Sequence, residues 1–112
     1  MQSVTSNAVA EQLEVSELKT LVDNSSWIVK YRTMGKIIIF TIHVKTSGNM
    51  SVAFPNFSTV TTGEGLKTAL TWGGIFIGEA YVSTNGTGIN AQVRYEGEGS
   101  FNGSGELVTF LA

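Results

Sequence analysis

The distribution of glycine and aromatic residues divides this chain sharply near Trp27. All 13 glycines lie from Gly35 onward, and every Trp, Tyr and Phe lies from Trp27 onward. A segment that has neither residue type but contains Ala and Leu favours helix, whereas aromatic and β-branched residues punctuated by glycine favour strands. We therefore expect two regions, an N-terminal helical stem over residues 1–26 and a β-rich head domain over residues 27–112.

The predicted helix needs a partner to pack against. Hydroxyl side chains at residues 3–6 can cap its start, and the polar run at residues 23–26 would end it. An isolated helix of about 17–20 residues is only marginally stable in water. Apolar residues in the segment step by four and three, as in the seam of a coiled coil: Val4, Ala8, Val15, Leu18 and Val22. This spacing predicts that the stem is an oligomer contact.

The charged residues of the helix leave two arrangements open. Glu14 and Lys19 flank the seam on opposite sides and would meet between parallel helices, which favours a parallel trimeric coiled coil. Glu11 lies in the seam itself and argues against this arrangement. The alternative is an amphipathic helix that lies on its own β-domain.

From Trp27 onward the hydrophobic pattern has the period of two that is typical of β-strands. An Asn85-Gly86 pair predicts a tight hairpin in which both residues take positive φ, and residues 97–105 predict a glycine-rich loop. This many short strands in one domain predict an antiparallel β-sandwich or jelly-roll-like head. The predicted strands are 27–32, 36–44, 50–54, 57–61, 66–72, 75–83, 89–95 and 107–111.

The second predicted strand, 36–44, is apolar on both faces. One face supplies core candidates, which together with residues of later strands are Ile38, Phe40, Ile42, Val44, Val82, Val93 and Phe110. The opposite face carries Ile37 and Ile39, which we predict to be a contact between subunits. Composition supports such a contact, because only 14% of residues are charged and the mean hydropathy is +0.14. A small domain of this kind is expected to expose apolar surface or to cover it in an oligomer.

Composition also argues against several functional classes. The chain has no cysteine and one histidine, His43, so thiolate sites and a multi-histidine metal centre within one chain are excluded. The isoelectric point near 5.2 argues against nucleic-acid binding. We expect no membrane insertion, because no apolar run approaches the roughly 18 residues of a membrane-spanning helix.

The sequence contains no recognisable catalytic, cofactor-binding or metal-binding motif. A nucleophile elbow, a phosphate-binding loop and a dinucleotide fingerprint are all missing, and the spacing of the glutamates singles out no carboxylate pair. We therefore expect that the protein is not an enzyme and uses no cofactor. Trp72, beside Gly73-Gly74, and Tyr95 are candidate glycan contacts, although a tryptophan is more often part of a core.

The N-terminal segment resembles a known viral family. Residues 3–10 read Ser-Val-Thr-Ser-Asn-Ala-Val-Ala and contain the "VTSNAVA" segment of tail and receptor-binding proteins of bacteriophages and prophages. The rest is similar in outline, with an apolar strand at Ile37–Val44, a Phe-Pro-Asn-Phe run at residues 54–57 and a late Thr-Asn-Gly-Thr turn at residues 84–87.

The resemblance implies a homotrimer with a helical stem and a β-sandwich head at the tip of a tail fibre or baseplate. Such a protein belongs to the virion, or is encoded by a prophage, and its partners are other tail or fibre proteins and a bacterial surface polysaccharide. The chain lacks the long shaft of a complete fibre, which fits a fragment or a separate tip subunit. Two alternatives stay open, namely a carbohydrate-binding module of a bacterial secreted or surface protein and a structural fibre cap without a ligand.

Overall fold

A computed structural model of the chain describes residues 16–61, 66–95 and 102–112. These residues form antiparallel strands and no helix, so the prediction of a mainly β, antiparallel protein is confirmed. The strands are β1 (Lys19–Asp23), β2 (Trp27–Met34), β3 (Ile37–Val44), β4 (Gly48–Ala53), β5 (Lys67–Trp72), β6 (Ile75–Val82), β7 (Gly88–Val93) and β8 (Gly103–Phe110).

All of these strands belong to one hydrogen-bonded sheet in the order β1-β2-β3-β8-β5-β6-β7-β4. β3 and β8 pair along their whole lengths, whereas β5 and β8 share the single pair Thr71 and Ser104. This thin junction divides the sheet into a first half, β1-β2-β3-β8, and a second half, β5-β6-β7-β4. The end strands β1 and β4 approach each other, so the sheet is nearly closed rather than split into two separate sheets.

Two glycines of β8 allow the close approach at this junction. A Cβ atom on Gly105 would collide with the carbonyl oxygen of Ala69, and one on Gly103 would collide with the side chain of Ile77. Both collisions involve residues of the second half, whereas the glycines belong to the first. The predicted loop at 97–105 is therefore wrong for Gly103–Gly105, which form the start of β8, where close packing against backbone accounts for Gly105. Residues 97–101 of that prediction lie outside the described residues.

The side chains that point inward from both halves form one core. Of the predicted core residues, Ile38, Phe40, Ile42, Val44, Val82 and Val93 are all buried. Phe110 is 56% exposed, so its assignment to the core is wrong. The reason is the alternation of β8, which turns Leu107 and Thr109 inward and therefore turns Phe110 outward.

The predicted helix is wrong where the structure describes this segment, because Lys19–Asp23 forms β1 and pairs with β2. Val22 lies opposite Val29 and packs against the core, whereas Leu18 is 52% exposed. Pairing satisfies backbone groups at the edge of β2, and this outweighs a weak helix preference over a few residues. Leu18 and Val22 therefore do not form the predicted helical seam. The other predicted stem residues, Val4, Ala8 and Val15, lie outside the described residues.

The predicted strand at 57–61 is also wrong, since this segment forms an isolated bridge between Thr59 and Leu111 and no continuous strand. Its Phe57 ring stacks on Phe54 at a centroid distance of 4.6 Å, and Phe54 stacks on the buried Phe40 at 5.2 Å. Stacked rings, together with backbone hydrogen bonds donated by Thr59 and Val60, therefore hold this connection against the core.

The predicted hairpin at Asn85-Gly86 is present between β6 and β7, but its geometry differs from the expected one. Gly86 has a positive φ of 72°, whereas Asn85 does not. The Asn85 side chain instead accepts hydrogen bonds at Oδ1 from the Ser83 hydroxyl at 2.9 Å and from the Thr87 hydroxyl at 2.6 Å. Asn85 therefore stabilises this turn through side-chain hydrogen bonds and not through a positive backbone φ.

Candidate interaction surfaces

The outer side of the first half carries an exposed apolar surface, here called the apolar face. In the register of the sheet, Ile37 lies between Met34 and Phe110, and Ile39 lies between Arg32 and Val108. Phe110 is 56% exposed and Val108 is 48% exposed, whereas Ile37 and Ile39 are partly exposed. The apolar face thus consists of Met34, Ile37, Ile39, Val108 and Phe110.

The position of Ile37 and Ile39 follows from the strand alternation that the sequence indicates, and the structure brings them together with Val108 and Phe110. The sequence pattern missed these two partners because it does not specify that β8 pairs with β3. Charges of opposite sign flank the apolar face, with Lys30 and Arg32 on β2 and Glu106 on β8. The surface is therefore apolar in its centre, basic on one side and acidic on the other.

The outer side of β4 and β7 is polar and differs from the apolar face, whereas Ile75 and Phe76 at the start of β6 are each 64% exposed. Asn49 lies opposite Gln92, and Ser51 lies opposite Asn90, which itself pairs with Tyr81. These five residues line an open, shallow groove, and we call them the amide face. Within it, the Gln92 amide donates a hydrogen bond of 3.4 Å to the Tyr81 hydroxyl.

A second groove adjoins the amide face and shares Gln92 with it. Its other lining residues include Phe76, Glu79 and Arg94, of which Phe76 is 64% exposed. The two grooves together present two aromatic side chains, Tyr81 and Phe76. Sequence reasoning missed this surface, although the polar residues at 49, 51, 90 and 92 alternate with inward-facing ones and could have indicated it.

Trp72 and Tyr95, the glycan contacts predicted from sequence, lie next to each other. Their ring centroids are 4.9 Å apart, and the planes are nearly perpendicular at 80°. Both side chains are partly buried and pack against the core. This edge-to-face pair leaves less ring surface for a ligand than two exposed side chains would, and a glycan contact there stays a prediction.

Within the described ranges, no group of three or more His, Asp or Glu side chains is placed to hold a metal ion. His43, on the outer side of β3, approaches Asn102 with 3.2 Å between Nε2 and Oδ1. In the part of the chain that the structure describes, no helix is long and apolar enough to cross a membrane.

Comparisons with family models, with curated proteins and with solved structures find no match to this chain.

Proposed function

We propose that this chain is a homotrimeric structural protein of a phage or prophage tail, in which the β-domain is a head that attaches to the host surface. Its action is binding rather than catalysis. The observation that carries the proposal is the apolar face, because exposed Val108 and Phe110 adjoin Ile37 and Ile39 on one sheet surface. Contiguous exposed apolar surface of this kind is typical of an interaction site.

The occupant that we propose for the apolar face is a second copy of this chain. The basic residues Lys30 and Arg32 lie on one side of the face and Glu106 on the other. Neighbouring copies can therefore bring opposite charges together at the rim while apolar residues cover each other in the centre. A standard interface buries about 800 Å² per partner, so the apolar face would be the centre of a larger contact.

The number of copies and the place in the virion come from the resemblance of residues 3–10 to phage tail proteins. A coiled-coil contribution of Val4, Ala8 and Val15 to the trimer, below a sandwich-like head, stays part of this proposal. Trimerisation would present three copies of each head surface in parallel. Three weak sites that engage one host surface act with a high effective concentration, so that attachment is strong without any single tight site.

The absolute mass in solution tests the assembly, and binding to bacteria tests the attachment. Light scattering on a sizing column should give three times 12.0 kDa, and a labelled trimer should adsorb to the envelope of some members of a panel of bacterial strains. A stable monomer at micromolar concentration would contradict the assembly. A trimer that adsorbs to none of the strains would instead support a structural cap.

A second candidate is a monomeric carbohydrate-binding module of a bacterial secreted or surface protein. The amide face favours it, because a solvent-facing groove with amide and aromatic side chains suits sugar hydroxyls whether or not the chain assembles. The two proposals differ in one measurement, since a monomer that binds saccharide would support the module and a trimer that does so would support the tail protein.

A further inference from the structure

We propose that the amide face and the adjoining Phe76 groove together bind an uncharged oligosaccharide. This inference rests on the proposed function only in assuming that the chain attaches to a surface. The site lies on the outer side of β4, β7 and β6. It is distinct from the apolar face, which lies on the first half of the sheet, and from the predicted pair Trp72 and Tyr95.

The sheet register holds the polar side chains of the amide face at short, fixed spacings. Asn49 is directly opposite Gln92, and Ser51 is directly opposite Asn90. Residues in such positions have Cβ atoms about 4.5–5.5 Å apart, and successive residues on one side of a strand are about 7 Å apart. Four hydrogen-bonding side chains thus cover an area comparable to one sugar ring, on a rigid support that needs no loop ordering.

The chemistry of these side chains matches that of a neutral sugar. Each amide offers two N–H donors and one carbonyl acceptor, and a sugar hydroxyl both donates and accepts. The Tyr81 ring, held through its hydroxyl by Gln92, can offer an apolar surface to the C–H groups of a pyranose. The five residues of the amide face carry no formal charge, so they themselves suit a neutral ligand better than an anionic one such as nucleic acid.

The two aromatic side chains imply an oligosaccharide rather than a single sugar. Tyr81 and Phe76 lie on the same strand, five positions apart. An odd spacing would place them on opposite sides of a regular strand, but the register shifts between Leu70 and Thr71 and leaves β6 with one extra residue there, so each side chain lines one of the two adjoining grooves. Their separation is at most roughly 16 Å along the strand, which exceeds the length of one sugar ring.

Gln92 borders both grooves and joins them into one path. Glu79, directly opposite Gln92, lies along this path, Arg94 lines the Phe76 groove, and Lys67 lies opposite Tyr81. Charges of both signs therefore border the path.

A polar outer side of a sheet is ordinary by itself, but the choice of residues here is not. Asparagine is depleted in strands relative to threonine and the β-branched residues, yet Asn49 and Asn90 both lie within strands and on adjacent ones. Solvent-facing and edge strands more often use lysine or glutamate for solubility. The cluster of amides on adjacent strands therefore supports hydroxyl recognition as their role.

An array of immobilised neutral and acidic oligosaccharides and purified bacterial polysaccharides tests the site. The strongest-binding probe is then titrated in solution against the ¹⁵N-labelled protein. We expect a neutral probe to shift the amide resonances of Tyr81 and Gln92, and Tyr81→Ala and Gln92→Ala to weaken binding at least tenfold. Phe76→Ser should weaken a long oligosaccharide more than its disaccharide fragment.

Two further variants keep the test independent of folding and of assembly. Tyr81→Phe retains the ring and should weaken binding less than Tyr81→Ala does, and Thr20→Ala, on the exposed edge strand β1, should leave affinity unchanged. If Tyr95→Ala abolishes saccharide binding and Tyr81→Ala does not, the amide face is not the binding site, although the proposed attachment function would stand. Binding of acidic probes only, or of no probe, would overturn the inference, whereas the trimer mass tests assembly separately.

Discussion

Replacing Phe110 by serine tests the apolar face most directly. The side chain is 56% exposed, and a phenylalanine buries about 150–250 Å² when it is fully covered. A neighbouring copy can therefore cover roughly 110 Å² of this ring, which at about 25 cal/mol per Å² contributes about 3 kcal/mol to association. Phe110→Ser removes this contribution, so the dissociation constant of each contact between copies should rise roughly 100-fold.

Sedimentation velocity over a dilution series measures this effect. The wild-type chain should remain assembled at concentrations where Phe110→Ser has dissociated to 12.0 kDa monomers. Phe76→Ser is the matched control, because Phe76 is slightly more exposed, at 64%, but lies on the second half of the sheet. The control should keep the wild-type mass, and both variants should remain folded by circular dichroism because each removes a solvent-facing ring.

Two results would refute the reasoning. If Phe110→Ser sediments as the wild type does throughout the series, the apolar face is not the contact between copies. If Phe76→Ser dissociates instead, the contact lies on the second half of the sheet, and the proposed saccharide site would be covered in the assembly.

Three further substitutions test the fold by urea unfolding. Gly105→Ala should lower the free energy of unfolding by about 1–3 kcal/mol, because its Cβ atom collides with the Ala69 carbonyl oxygen, and a stability equal to that of Ser104→Ala would contradict the tight junction. Phe54→Ala removes a ring stacked between two others and should cost about 3–5 kcal/mol, so a loss below about 1 kcal/mol would argue against the stack. Val22→Asp should lower the free energy of unfolding by at least about 1 kcal/mol and Leu18→Asp by less than about 0.5 kcal/mol. Comparable losses at both positions would favour the helical seam instead.

The sequence determined the strands whose side chains alternate over long runs. Ile37–Val44 is an example, because every inward position of the strand is a large apolar residue, and burial then leaves only one choice of face. The same alternation identified Ile37 and Ile39 as outward-facing apolar residues before any partner strand was known. The alternation of side chains and their volumes are local properties, and they sufficed to predict this strand and the side on which each of its residues lies.

The tertiary structure decided which strands pair, and this pairing decided the secondary structure of residues 19–23, the side on which Phe110 lies and the make-up of both outer surfaces. Lys19–Asp23 is a strand because the edge of β2 is available to it, whereas its own residues suit either a helix or a strand. Phe110 faces outward because β8 extends back to Gly103 and fixes the alternation. The amide face exists only because β4 pairs with β7 and β7 with β6, which brings residues 49 and 92 opposite each other. The sequence of a strand shows which of its residues share a face, but which strands pair with it depends on the whole chain. Both proposed surfaces combine residues from several paired strands, so only the tertiary structure could show them.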